Sequence, residues 1–298
     1  MTESGLLVVD KPAGITSHQV VSRARRALGL KKIGHAGTLD PMATGVLILG
    51  VGRATRLLGH LTLADKAYSA TIRLGQATVT DDAEGDVTDA PGADGLTRSR
   101  VEDAVAAYRG DIVQVPSAVS AIKVDGKRSY ARVRAGEDVE LAGRPVTVSR
   151  YDVHGVRPAR AGDVAVLDVD VEVECSSGTY IRALARDLGR DLGCGGHLTA
   201  LRRTRLGPFT VADATWDGVL GELAPGERLS LLLTPMADAA RATMPVVEVD
   251  AAGATDVSHG RPLALEVPAD PTGVVHEGRL LALYKPAHSG SVPVAVLV

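Results

Sequence analysis

The densest run of chemically able residues in this chain is Gly34-His35-Ala36-Gly37-Thr38-Leu39-Asp40-Pro41-Met42-Ala43-Thr44-Gly45. Its glycines let the backbone approach a ligand closely, and Asp40, placed before a proline, is held out of the helical region. Such a loop presents a carboxylate on a stiff mount, the starting point for carboxylate chemistry. It is no phosphate cradle, because no Gly-Lys-Ser/Thr closes it and the GxGxxG spacing is missing. The same residues also fit an ordinary Asp-Pro turn, and His35 fits a packed or capping histidine.

A second run, Cys175-Ser176-Ser177-Gly178-Thr179-Tyr180-Ile181-Arg182, reads as a strand end followed by a helix start. Helix starts carry unpaired N–H groups and favour anions. With Ile181, Leu184 and Leu188 on the core face, Arg182 sits beside that face, where it either reaches a buried partner or turns to solvent. A buried arginine would keep a neighbouring carboxylate ionised. Aromatic residues are scarce, with Tyr 6, Phe 1 and Trp 1. Tyr68 and Tyr180 therefore stand out as stacking platforms for a base, with core packing as the competing role. Asp81-Asp82-Ala83-Glu84-Gly85-Asp86 lacks the ligand alternation of a calcium loop and reads as a connection between strands, with one carboxylate free to face inward. The remaining histidines are scattered, without metal-ligand spacing.

These residues must be positioned by a chain of 298 residues, 45% hydrophobic and 23% charged, which excludes wholesale disorder. Two cysteines, Cys175 and Cys194, are too few for a disulfide scaffold, and no apolar run reaches the roughly 20 residues that span a bilayer. Without a basic leader at Met1–Asp10, a reducing cytoplasm is the expected compartment. The net charge of −3 hides an uneven distribution. Residues 1–64 carry 8 basic and 3 acidic groups and residues 175–210 carry 6 and 2, whereas 211–298 carry 5 and 11. A polyanion would feel the local basic patches, so charge permits a nucleic-acid partner without demanding one. The acidic C-terminal segment is a poor phosphate binder.

Strands are expected at Leu6–Asp10, Val46–Val51, Lys66–Leu74 and Leu167–Cys175, the last alternating strictly between apolar and acidic residues. Ser17 can cap a helix that runs to Leu28 and stops at Gly29. Ser99-Arg100-Val101-Glu102 has capping-box spacing for a helix ending near Gly110. Ile181, Leu184, Ala185 and Leu188 mark a further helix face. The fold class is α+β, with a mixed, mainly antiparallel sheet flanked by helices. The basic, glycine-bearing stretch 120–145 suggests an excursion from the sheet. Beyond an Ala-rich piece from Pro235 to Pro245, strand-like runs at Val246–Val249, Leu280–Tyr284 and Val292–Val298 suggest a small β-rich module.

The stretch Gly34–Leu47 resembles the signature of TruB-type tRNA pseudouridine synthases, G-H-x-G-T-L-D-P-x-A-x-G-x-L, at every fixed position. The likeness extends through Lys11–Ser17, Tyr68 with Leu74-Gly75, Thr80–Gly85, Gln114–Lys123, Ser176–Arg182 and Leu201-Arg202-Arg203. It implies a pseudouridine synthase fold over residues 1–240, with 120–145 as a thumb-like insertion closing on the T arm. A PUA-like module at 241–298 is implied only weakly. The implied activity is conversion of the T-loop uridine of tRNA, position 55, to pseudouridine by a monomeric enzyme without cofactor or metal, with no membrane partner. By the same resemblance Asp40 is the catalytic aspartate, Tyr68 stacks on the flipped base and Arg182 pairs with that aspartate. Asp82 joins the arginine's network, Tyr180 and Leu201 line the pocket, and His35 supports the flipped-out loop. Attack at C1′ and attack at C6 both remain open. The alternatives are a guide-RNA-dependent rRNA pseudouridine synthase of the dyskerin type, an RNA-binding or folding factor, and a retaining glycosidase. The glycosidase would need a second carboxylate across the bond.

Overall fold

Apolar runs bounded by glycine become the buried strands of this chain, whose computed structural model describes residues 4–117, 141–217 and 233–298 with the backbone of 123–124 and 127–128. The chain forms two units, one of Met1–Pro41, Gly45–Thr62 and Gly207–Val298, the other of Met42–Thr44 and Leu63–Leu206.

In the first unit, β1 (Gly5–Lys11) is followed by α1 (Ser17–Leu28), β2 (Ile33–Ala36), β3 (Thr44–Val51) and the short α2 (Leu58–Thr62). β3 runs antiparallel to both β1 and β2, with Leu7 opposite Leu49 and His35 also opposite Leu49. Leu6–Val9 and Val46–Leu49 are all buried, so this sheet has no wet face here. The N-cap of α1 is Thr16 rather than the expected Ser17: its side chain accepts from the Gln19 amide, and Gln19 answers in a full capping box. Ser17 is instead buried and turned toward the Asp40 loop. Gly29 ends the helix in the left-handed conformation, as expected.

The second unit contains β4 (Lys66–Leu74), the small pair β5 (Ala77–Thr78) and β6 (Val87–Asp89), α3 (Arg98–Ala106) and β7 (Gly110–Gln114). After these come the hairpin strands β8 (Lys123–Val124) and β9 (Lys127–Arg128), β10 (Arg144–Ala161), β11 (Val164–Cys175), α4 (Ile181–Asp191) and β12 (Gly196–Leu206). The sheet order is β12-β4-β11-β10-β7, antiparallel throughout. β4 is therefore paired on both edges, and its alternate residues Lys66, Tyr68, Ala70, Ile72 and Leu74 are buried. The acidic face of β11 is held by cross-strand arginines: Arg73 donates twice to Asp168 at 2.8 Å, and Arg205 reaches Glu174 at 2.7 Å. α3 is capped by Thr97, two residues before the expected Ser99, and Glu102 pairs with Arg98 one turn back. Apart from β8, β9 and residues 141–145, the expected excursion over 120–145 lies outside the described residues.

The chain then re-enters the first unit with β13 (Phe209–Thr210), β14 (Thr234–Pro235) and α5 (Met236–Thr243). β14 pairs with β1. A separate four-stranded sheet follows, built from β15 (Val246–Glu248), β16 (Thr272–His276), β17 (Arg279–Pro286) and β18 (Ser291–Val296), with α6 (Ala251–Ser258) packed on it. β15 and β16 are parallel, and the other pairs are antiparallel. Val257, Leu263, Val274, Leu281 and Tyr284 form its own small core. Tyr151 and Tyr284 are fully buried, so the fold does use scarce rings for packing.

Candidate functional site

The Asp40 loop is fastened on both sides by the segment that leads from β1 into α1. The Ser17 hydroxyl accepts from the Leu39 amide at 2.9 Å and donates to the Leu39 carbonyl at 3.2 Å. On the far side of Asp40, the Pro41 carbonyl accepts from the Gly14 amide at 2.8 Å and from Lys11 Nζ at 3.1 Å. Lys11 is wholly buried and also donates to the carbonyls of Pro12 and Ile15. Gly37 and Gly45 take φ +78° and +98°, conformations that side chains resist, and they bend the loop at its two ends. Asp40 is half-buried between these fixed points. His35 lies on β2, edge-on to His18 with ring centroids 5.3 Å apart. Lys11 and Ser17 thus hold the backbone on either side of Asp40, where the sequence suggests only a residue just past a strand and a helix cap. Ser17→Ala strands two buried backbone groups and is expected to cost about 2 kcal/mol of stability. The check is the midpoint of urea unfolding, and an unmoved midpoint would show that Ser17 fixes nothing.

The second unit holds the other expected site residues. Tyr68 lies on the inner face of β4, 7% exposed, flanked by Val173 on β11 and Arg203 on β12. Leu201 is buried on β12. Arg182, one residue into α4, faces inward at 5% exposure, not outward. Its Nη1 lies 3.3 Å from an Asp82 carboxylate oxygen and donates to the Thr80 carbonyl at 2.8 Å. Asp82 is 2% exposed and accepts from the Thr80 hydroxyl at 2.5 Å and the Glu84 amide at 3.0 Å. The loop between β5 and β6 thus turns two carboxylates inward, Asp81 as well as Asp82, where one was expected. Among the described residues no group of three or more His, Cys, Asp or Glu side chains could hold a metal ion.

Tyr180 is the N-cap of α4 and offers no side-chain cap. The buried amide of Gln114 does that work: its Oε1 accepts from the Tyr180 amide at 2.8 Å and its Nε2 donates to the Tyr180 carbonyl at 3.1 Å. In the sequence Gln114 stands only within a longer likeness, and nothing in its spacing marks it as a clamp. Two residues before Tyr68, on the same face, burial and the nearby Arg203 lower Lys66 to about 8. Opposite it, burial pushes the Cys175 thiol up to about 11. Cys175 is expected to resist thiol reagents at pH 8 in the native protein and to react on unfolding. Labelling in the native state would contradict this assignment.

The comparisons with known proteins agree with one another. The model of the TruB family pseudouridylate synthase N-terminal domain matches residues 25–181, and that of the tRNA pseudouridylate synthase B C-terminal domain matches 182–240. The tRNA pseudouridine synthase B of Cutibacterium acnes is 57% identical, over 95% of this chain and 94% of its own. That of Mycobacteroides abscessus is 54% identical, over 100% and 97%. A solved H/ACA ribonucleoprotein bound to a substrate RNA containing 2'-deoxyuridine contains a chain similar at a TM-score of 0.72 and 25% identity, covering 99% of this chain and 85% of that one. With a family model spanning more than half of its residues and relatives over 50% identical along nearly its whole length, this chain belongs to the TruB family of pseudouridylate synthases.

Proposed function

We propose that this chain isomerises uridine in tRNA to pseudouridine, and that its target is the T-loop uridine at position 55. The observation that carries the reading is end-to-end identity with relatives named tRNA pseudouridine synthase B, at 54–57%. The likeness to the H/ACA ribonucleoprotein chain, at 25%, is far weaker, so a stand-alone tRNA enzyme is favoured over a guide-dependent one.

The chemistry follows from the substrate. A base stacked inside a folded T loop cannot be reached, so the nucleotide must be extruded at a cost of a few kcal/mol. Stacking on the Tyr68 ring returns about 1–3 kcal/mol of that cost. Asp40, mounted on its fastened loop, is the proposed nucleophile at C1′ or C6. The N1–C1′ bond breaks, the uracil turns, C5 takes the bond to C1′, C5 gives up its proton as N1 gains one, and the bond to Asp40 is broken again, so that the product is an isomer. Arg182 is proposed to hold the aspartate ionised, with Asp82 fixing the guanidinium. Tyr180 and Leu201 line the base pocket, and His35 supports the flipped-out loop. Water must be kept out so that the freed uracil is recaptured rather than lost. No cofactor or metal enters this scheme. RNA recognition would rest on the shape of the T arm and its extruded bases. The catalytic part is assigned to residues 1–240, and 241–298 to a PUA-like module with little share in phosphate binding. A monomer acting in the cytoplasm completes the proposal, and among the described residues no helix is long and apolar enough to cross a membrane.

The test is incubation of the purified chain with an unmodified T-arm stem-loop and no other protein or RNA. Conversion of the T-loop uridine to pseudouridine is expected. Conversion that requires a guide RNA would favour the dyskerin-type alternative, and release of free uracil would favour a glycosidase.

A further inference from the structure

Arg182 and Arg186 are four residues apart and therefore neighbours on one face of α4. They meet consecutive carboxylates of the loop between β5 and β6. Arg182 takes Asp82 at 3.3 Å, and Arg186 takes Asp81, also at 3.3 Å. We infer that Arg186 is a positioning residue, which engages Asp81 and so keeps that carboxylate from competing for Arg182. The inference rests on the reading of Arg182 as part of the reacting site.

Three observations support this division of labour. First, Arg186 has no freedom to change partners. Its Nη2 donates to the Val115 carbonyl at 2.7 Å, its Nη1 also lies 3.5 Å from the Pro116 carbonyl, and its Nε donates to Asp187 at 3.0 Å. Asp187 is further held by Arg190 at 2.9 Å. A planar fork filled on every side is a rigid mount. Second, the Asp81 backbone is equally fixed. It sits at φ 59°, in the left-handed region, with its carbonyl accepting from the Leu198 amide at 3.0 Å. Its carboxylate therefore cannot retreat to solvent by a change of backbone. Third, Asp81 is 8% exposed, and burial pushes its carboxyl up against the pull of the Ser117 hydroxyl and of Arg186 and Arg182. Without Arg186, the cation left to it is Arg182. Two adjacent buried carboxylates would then share one guanidinium, and Arg182 would be drawn off the line set by Asp82 and Thr80.

A misdirected group costs turnover more than affinity. Arg186→Met is expected to lower kcat on the T-arm stem-loop by about 10- to 50-fold with KM changed less than about threefold. Asp81→Asn removes the competing charge, keeps the shape and tolerates the left-handed conformation, and is expected to stay within about twofold of wild type. The decisive variant is the double one. Asp81→Asn with Arg186→Met is expected to recover kcat to within about threefold of wild type, since nothing is left to compete for Arg182. If Arg186 merely supported the carbonyls of Val115 and Pro116, the second substitution would restore nothing. Should Arg186→Met fail to fold, Arg186→Gln, which removes the charge but keeps a hydrogen-bond donor for the carbonyls, replaces it with the same rescue expected from Asp81→Asn. An Arg186 variant with wild-type kcat, or a double variant no better than the single one, overturns the inference. Failure of the site reading looks different: Arg182→Met would then keep its kcat, and the inference would fall with it.

Discussion

Asp40→Asn is expected to abolish pseudouridine formation, with kcat down by roughly four orders of magnitude or more, while RNA binding stays within about threefold of wild type. An amide is isosteric with the carboxylate but cannot form the covalent bond to carbon that the proposed reaction needs. The contacts that Ser17, Gly14 and Lys11 make with the loop go to backbone groups of Leu39 and Pro41, which the substitution does not touch. Affinity should persist, because T-arm recognition is spread over shape and phosphate contacts rather than placed on one acid. Uridine and pseudouridine have the same mass, so the product is read by nuclease digestion and chromatographic separation of the nucleosides. Retained conversion would remove Asp40 from its proposed role. Lost binding would mean that the aspartate serves the RNA interface instead.

How much of this was legible in the sequence depends on the range of the forces involved. Strands with strict alternation, such as β11, and the unbroken apolar run of β3 were visible because burial imposes a period on the chain itself. The end of α1 was visible for the same reason, since only a residue tolerant of the left-handed region fits where Gly29 stands. β10 and β12 were not, although they are 18 and 11 residues long. β10 carries arginines and two prolines and β12 a run of arginines, which read as loop, and their pairing is decided by β11 and β4. The helix caps were misplaced by one or two residues because Thr16 and Ser17, and Thr97 and Ser99, are chemically alike at that distance.

The candidate site divides along the same line. The loop Gly34–Gly45 announced itself through glycine and Asp-Pro, which act locally. That Arg182 turns inward was undecided from its helical position, because helical spacing placed it at the border of the apolar face. Asp82, 100 residues earlier, settles the matter by supplying the buried counter-charge. The positions of Ser17, Lys11 and Gln114 lie within the family likeness, but their roles are not legible there, because their work is done on backbone groups and backbone groups leave no mark in a sequence. Arg186 looked like any solvated arginine of an amphipathic helix until the left-handed turn at Asp81 brought a second carboxylate beneath it.

Arg182→Met is expected to lose both activity and stability, and the two losses can be separated. The Arg182–Asp82 pair has side-chain exposures of 5% and 3%, so removal of one partner leaves a buried, uncompensated carboxylate. Such a break costs about 3–5 kcal/mol, enough to lower the melting midpoint by roughly 10 °C in a chain of this size. Turnover should fall by about 100- to 1,000-fold if Arg182 also orders the charge of the reacting aspartate. Asp82→Asn in the same chain removes the stranded charge, and the pair of substitutions together is expected to regain about half or more of the lost stability, because replacing both partners of a buried pair costs far less than breaking it. Activity should not return with it, since the guanidinium proposed to hold Asp40 ionised is still missing. Thermal unfolding and single-turnover kinetics on the single and the double variant read the two effects independently. A double variant that recovers turnover together with stability would make the pair a structural brace only, and the charge control of Asp40 would have to come from elsewhere.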